Sequence, residues 1–152
     1  MEIRLTPIAT VHNSRTAPID DGWEAIVSEI VLAKDMPDEA FAGIEAFSYL
    51  EVIFHFDQVR ADDVVIAGRP RGNPAYPLMG IFAQRKKDRP NAIGLSTVEL
   101  LEHNGRLISV RRLDAINGTP VLDIKPVFEE FEPQGAIRQP SWVGDLMEHY
   151  WQ

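Results

Sequence analysis

Asn104-Gly105 constrains the fold more than any other feature of this chain. It joins two runs of strand-forming residues, Leu95–His103 and Arg106–Leu113, and Asn-Gly readily takes the positive φ angles of a type I′ turn. The stretch is expected to form a β-hairpin. Partners for it recur along the chain. Ile8 to His12 is a short β-prone run closed by Asn13-Ser14, and Trp23 to Leu32 is rich in β-branched residues without glycine or proline. Between Tyr49 and Phe56, Leu50, Val52, Phe54 and Phe56 share one strand face, with Glu51 and His55 on the other. Leu78–Gln84 and Ile93–Leu101 read as further strands, and Asn117-Gly118 turns the chain into Val121–Ile124.

Helices are few. Pro37 followed by Asp38 and Glu39 suits a first helical turn and predicts a short connector helix with Phe41, Ile44 and Phe47 inward. Ser141 is expected to cap a C-terminal helix whose apolar face is Trp142, Leu146, Met147, Tyr150 and Trp151. That face suits core packing over a barrel end or dimer packing. The stretch Arg60–Pro77 reads as an irregular loop. With no repeat, low-complexity run or boundary in view, residues 1–152 read as a single domain. The fold class is mainly β: a single-sheeted small β-barrel with a short connector helix and a C-terminal helix, since closure removes edge strands.

A barrel needs a core, and 152 residues with 45% apolar and 25% charged content supply one without staples. The absence of cysteine excludes a disulfide framework, a thiolate zinc site, an iron–sulfur cluster and a cysteine nucleophile. No apolar h-region follows Met1, and no stretch approaches the roughly 18 apolar residues of a membrane helix, so the reading is soluble and cytoplasmic. The net charge of −8 is unevenly spread. Residues 1–60 hold 4 Lys/Arg against 11 Asp/Glu and residues 113–152 hold 2 against 7, whereas residues 61–112 hold 9 against 5. Arg69, Arg71, Arg85, Lys86, Lys87 and Arg89 make that middle basic. Local fields, rather than net charge, decide whether an anionic ligand is attracted.

The four histidines are far apart and lack the i, i+4 spacing of a helical zinc site, so no metal is expected. His55 and Asp57 share a strand face, an arrangement open to a metal or base but ordinary for a solvent-facing pair. Ser96 lacks the Gly-x-Ser-x-Gly elbow, and no Gly-x-Gly-x-x-Gly or Walker loop is present, which disfavours a Rossmann enzyme. The informative segment runs from Phe82 to Ser96: a strand, a basic turn, then a second strand. Asn91 offers an amide at a rigid turn, Gly94 permits close backbone approach, and two arginines around the turn suit bidentate hold on a carboxylate or phosphate. A second polar cluster runs from Asp114 to Pro126, with Asp123 and Lys125 sharing a face. On pattern alone these are two ligand-lined loops with an unnamed ligand.

Arg85-x3-Arg89-Pro90-Asn91-Ala92-Ile93-Gly94-Leu95-Ser96 followed by Gly118-Thr119-Pro120-Val121-Leu122-Asp123-Ile124-Lys125-Pro126 resembles the TrmO family, also called TsaA or YaeB-like. Gly43–Leu50, Arg69-Pro70-Arg71 and Gly80–Ala83 extend the resemblance over about residues 5 to 145. It implies an S-adenosylmethionine-dependent methyltransferase on a single-sheeted β-barrel that methylates N6 of threonylcarbamoyladenosine beside the tRNA anticodon. It also implies a homodimer with the cofactor near the subunit interface. By the same resemblance, Phe56, Asp57, Arg85, Leu95 and the turn Asp114, Ala115, Ile116, Asn117, Gly118 are the cofactor-binding positions. Arg89, Asn91, Asp123 and Lys125 are left to orient the methyl acceptor, Asp123 being a candidate to take a proton from N6. Arg69, Arg71, Lys86 and Lys87 are the expected RNA contacts, and Tyr76 or Phe82 the surface on which a base stacks. Four features depart from the family pattern: Asp57, Tyr49, Ala92 and the acidic loop Asn13–Asp21. They leave two alternatives open: another substrate on the same scaffold, or a non-catalytic protein that binds S-adenosylmethionine or RNA.

Overall fold

The structure is a computed structural model describing residues 1–152. Six strands close into an antiparallel barrel: β1 (Ala9–His12), β2 (Val27–Leu32), β3 (Tyr49–His55), β6 (Ile93–Asn104), β7 (Leu107–Arg111) and β8 (Pro120–Pro126), in the order β1-β2-β7-β6-β3-β8. A separate two-stranded sheet pairs β4 (Ala67–Gly68) with β5 (Met79–Gly80). Alternation along each strand builds the core. Val11, Ile30, Leu50, Val52, Phe54, Val98, Ile108, Val110 and Val121 point inward and are buried. Register shifts at Ile53/Phe54 and at Leu100/Glu102 mark bulges, which bend a sheet toward closure. Gly94 is required by packing, because a Cβ there would lie 2.3 Å from the Phe54 ring.

The hairpin forms, with one change of detail. Asn104 pairs with Leu107, so the turn is centred on Gly105-Arg106, and only Gly105 has a positive φ, of 60°. That is the glycine-first pattern of a type II′ turn rather than the expected type I′. The Leu78–Gln84 strand is corrected: pairing stops after Met79–Gly80, and Ile81–Ala83 makes a 3-10 turn with Ile81 buried. In the Trp23–Leu32 run, pairing begins only at Val27. The connector is two 3-10 turns, Asp38–Phe41 and Ile44–Ala46, not one helix; Phe41 joins the core and Ile44 and Phe47 pack on it as expected. The C-terminal helix α1 spans Ser141–Met147, but Pro140 holds the cap position and Ser141 makes no capping hydrogen bond. Tyr150 and Trp151 lie beyond its end.

Antiparallel order sorts the loops. One barrel end gathers the starts of β2, β6 and β8 with the ends of β1, β3 and β7, and the connector covers the opposite end.

Candidate functional site

The first of these ends carries the polar clusters. Alternation along β6 turns Ser96 inward, where its hydroxyl donates to Asp114 Oδ1. The Tyr150 hydroxyl donates to the other oxygen of the same carboxylate. Burial first, and then the Asp114 charge, push the Tyr150 phenol far above its ordinary pKa, so it remains a donor. Beside this group, Arg85 Nη2 donates to the Leu95 carbonyl at 2.9 Å while its side chain stays exposed. Three expected cofactor positions, Arg85, Leu95 and Asp114, thus converge. Every non-glycine residue with a left-handed φ (Arg71, Asn91, Ala92 and Arg112) lies in loops at this end. Such strain persists only where surrounding contacts over-determine it, and it clusters at functional sites. Proline cannot adopt the φ of 48° at Ala92, so the backbone here admits no proline at this position.

The turn after Asp114 is largely committed to the protein itself. Asn117 N–H donates to the Arg15 carbonyl and Gly118 N–H to the Val11 carbonyl, both at 2.7 Å. Asn13 Nδ2 donates to the Ala115 carbonyl at 2.8 Å and to Ser28 Oγ at 2.9 Å. The N–H groups of Asp114, Ala115 and Ile116 donate to no protein acceptor; Ala115 is buried in the core, so Asp114 and Ile116, both half-buried, are the positions within reach of a ligand. The acidic loop forms the adjoining wall. Arg15 stacks over the Trp23 ring at 4.5 Å and donates to the Asp21 and Gly22 carbonyls. Asp21 pairs with Arg71 at 2.9 Å.

The remaining expected residues are dispersed. Arg71 is neutralised by the acidic loop, and Arg69 donates to the Tyr76 carbonyl. Lys87 pairs with Asp88 at 3.0 Å, and Arg89 folds back onto the Gln84 carbonyl at 2.9 Å, leaving Lys86 without a partner. Asn91 is exposed at the rim. Phe56 packs edge-on against Phe54 at 5.2 Å, with Asp57 exposed beside it. Asp123 and Lys125 pair with each other at 3.0 Å on the outer barrel wall, in register with Ile53 and Glu51 of β3, and do not touch the Asp114 group. Tyr76 packs against Trp142 at 5.9 Å, whereas Phe82 is 83% exposed. Sequence reasoning missed Tyr150, which it placed on an apolar helix face, and Ser96, which it left as packing. Neither carries a local signal, because each gains its meaning from Asp114.

Arg85 and Asp114 therefore share one mouth at this barrel end. Asp114 suits a cationic or hydroxyl donor and Arg85 suits a carboxylate, so this end fits a zwitterion, whereas Asp20 and Asp21 are already met by Arg71.

Residues 8–133 match the model of the tRNA-methyltransferase O N-terminal domain family. A probable S-adenosyl-L-methionine-binding protein of Methanothermobacter thermautotrophicus is 37% identical over 139 residues, covering 89% of this chain and 97% of that one. The tRNA (adenine(37)-N6)-methyltransferase of Escherichia coli K12 is 40% identical over 92 residues, 58% of this chain and 39% of that one. A crystal structure of TrmO from Pseudomonas aeruginosa superposes with a TM-score of 0.75 at 24% identity, over 93% of this chain and 62% of that one, which shows a shared fold. The chain thus spans nearly the whole archaeal relative but well under half of the bacterial methyltransferase.

Proposed function

The chain belongs to the family of tRNA-methyltransferase O N-terminal domains, and from that premise we propose that it is an S-adenosylmethionine-dependent tRNA methyltransferase. Its acceptor is read as N6 of threonylcarbamoyladenosine next to the anticodon. The observation that carries this reading is the convergence of Arg85, Leu95 and Asp114 on one mouth, inside the matched family region. When bound, S-adenosylmethionine supplies an activated methyl group. The protein's task is then mostly alignment. In this reading Arg85 takes the cofactor carboxylate, Asp114 accepts from its hydroxyl or ammonium groups, and the N–H group of Ile116 meets a remaining acceptor. Phe56 and Asp57 flank the same end, and Asn117 and Gly118 hold the turn in shape.

In this reading Asn91, exposed at the rim, orients the acceptor base, and Phe82, also exposed, stacks on it. Arg89 shapes the basic turn instead of pointing outward. Asp123 and Lys125 remain candidates for the acceptor only if substrate reaches the outer wall. A homodimer and a cytoplasmic location complete the proposal. A second reading, the same scaffold methylating a smaller substrate, is favoured by one observation: most cations expected to meet RNA are already paired within the chain. Calorimetric titration with S-adenosylmethionine, followed by mass spectrometry of nucleosides from tRNA incubated with protein and cofactor, tests the reading. Cofactor heat together with a new N6-methyl product supports it. Cofactor heat without methylated tRNA turns the assignment to the second reading, and no heat in folded protein overturns both.

A further inference from the structure

The last residues of the chain form a strap across the mouth. Three successive N–H groups, of Gly22, Trp23 and Glu24, donate to the carbonyls of His149, Tyr150 and Trp151 at 3.3, 3.1 and 2.6 Å. The Trp151 ring lies beneath the Arg112 guanidinium at 4.2 Å and meets the Tyr150 ring edge-on at 5.0 Å. Arg112 in turn reaches Glu24 at 3.5 Å, which ties the strap to the segment entering Asp114. This arrangement delivers the Tyr150 hydroxyl to one oxygen of Asp114 while Ser96, from inside the barrel, holds the other.

A carboxylate oxygen has two acceptor sites, so each Asp114 oxygen is tethered once and keeps one site for a ligand. A half-buried aspartate on a loop otherwise has two soft side-chain torsions to freeze when a ligand binds. Two hydroxyl donors from opposite directions freeze them beforehand.

We propose that Tyr150 is a positioning residue of the cofactor mouth, holding Asp114 so that its open acceptor sites face the hydroxyl or ammonium donors of S-adenosylmethionine. The inference rests on the reading of the Arg85–Asp114 mouth as the cofactor site. Tyr150 touches the carboxylate and not the reacting atoms, so its loss is felt in cofactor affinity and not in turnover.

Tyr150→Phe keeps the ring against Trp151 and removes only the hydroxyl. The wild-type protein is titrated first with S-adenosylmethionine in a calorimeter; absence of binding there overturns the mouth reading and this inference with it. Given wild-type binding, the variant is expected to bind S-adenosylmethionine about tenfold more weakly, as the loss of one hydrogen bond to a charged group implies. The KM for the cofactor rises in parallel, while kcat and the KM for tRNA stay within about twofold. A purely structural role lowers melting temperature and shifts all kinetic constants together, whereas positioning moves the cofactor constants alone. Wild-type affinity in the folded variant overturns the proposal, as does a uniform fall in every constant. If Tyr150→Phe does not fold, Ser96→Ala removes the opposite tether and is expected to weaken cofactor binding by a similar factor. Unchanged affinity in that variant overturns the proposal equally.

Discussion

A guanidinium that makes one hydrogen bond from five donors has most of its capacity left for a ligand. Arg85 is in that state, bonded to the Leu95 carbonyl alone and otherwise exposed. Arg85→Ala is therefore expected to weaken S-adenosylmethionine binding by about 1.5–3 kcal/mol in a calorimetric titration, the range for a charge-assisted hydrogen bond. Its neighbour Arg89 has the same residue type in the same turn but folds Nη1 back onto the Gln84 and Lys86 carbonyls and lies half-buried. Sequence spacing does not separate these two roles; the path of the backbone does. Gly94 shows the reverse case, where one atom decides. With the Phe54 ring 2.3 Å from the place a methyl group would occupy, Gly94→Ala is expected to cost about 1–3 kcal/mol of overpacking, read as a lowered midpoint in thermal or urea unfolding.

Elements are joined here by few side chains, and one joint titrates. His103, near the end of β6, donates from Nδ1 to Glu45 at 2.9 Å and from Nε2 to the Gly105 carbonyl at 2.9 Å, with its ring edge on Phe41. Both partners are acceptors, so the geometry calls for the doubly protonated ring. The hydrogen bond to Glu45, then that to Gly105, raises the His103 pKa above its ordinary 6.5. A backbone hydrogen bond, then His103, lowers the Glu45 pKa below its ordinary 4.5. A raised histidine stabilises fully below 6.5 and loses that contribution as pH rises through its folded value; a lowered glutamate stabilises above 4.5 and loses it as pH falls. The clip between hairpin and connector is thus complete from about 4.5 to 6.5. Melting temperatures are expected to fall more steeply from pH 6 to 8.5 in the wild-type protein than in Glu45→Gln. Parallel curves for the two proteins would count against the clip. The hairpin itself was legible because Asn-Gly and alternation are local signals. The Leu78–Gln84 strand was not, since apolar content alone does not separate a strand from a buried turn at Ile81.

Over the whole molecule, a net charge of −8 opposes RNA, and the structure reduces the basic surface further by pairing Arg71 with Asp21 and Lys87 with Asp88. In the proposed reading, docking of tRNA then falls to Lys86 and whatever Lys87 releases from its exposed pair, which is worth little. Binding is expected to be weak and to respond steeply to salt. Replacing Lys86 and Lys87 by glutamate is expected to raise the KM for tRNA and to lower the salt slope by about two, roughly one for each lysine that no longer meets a phosphate. Cofactor affinity stays nearly intact, because neither lysine touches the Asp114 group. Equal methylation of tRNA by this variant and the parent at low salt would remove the basic turn as the docking surface.

The alternation Leu50, Val52, Phe54 and the glycine at 105 determined the strands, their inward faces and the hairpin, because side-chain period and turn chemistry act over a few residues, although the turn centres on Gly105-Arg106 and not on Asn104-Gly105. The polar motifs around Arg85 and Asp114 were legible for the same reason: both are contiguous runs. The roles inside them were decided elsewhere. Asp114 takes its hydroxyl partners from positions 18 residues before and 36 residues after it, and Arg71 meets an aspartate 50 residues away. Those partners are set by strand register around a closed barrel and by the strap that crosses its end, and no local pattern encodes either. Tyr150, expected on an apolar helix face, reaches Asp114 on that account, and the motif carboxylate Asp123 lies on the outer wall.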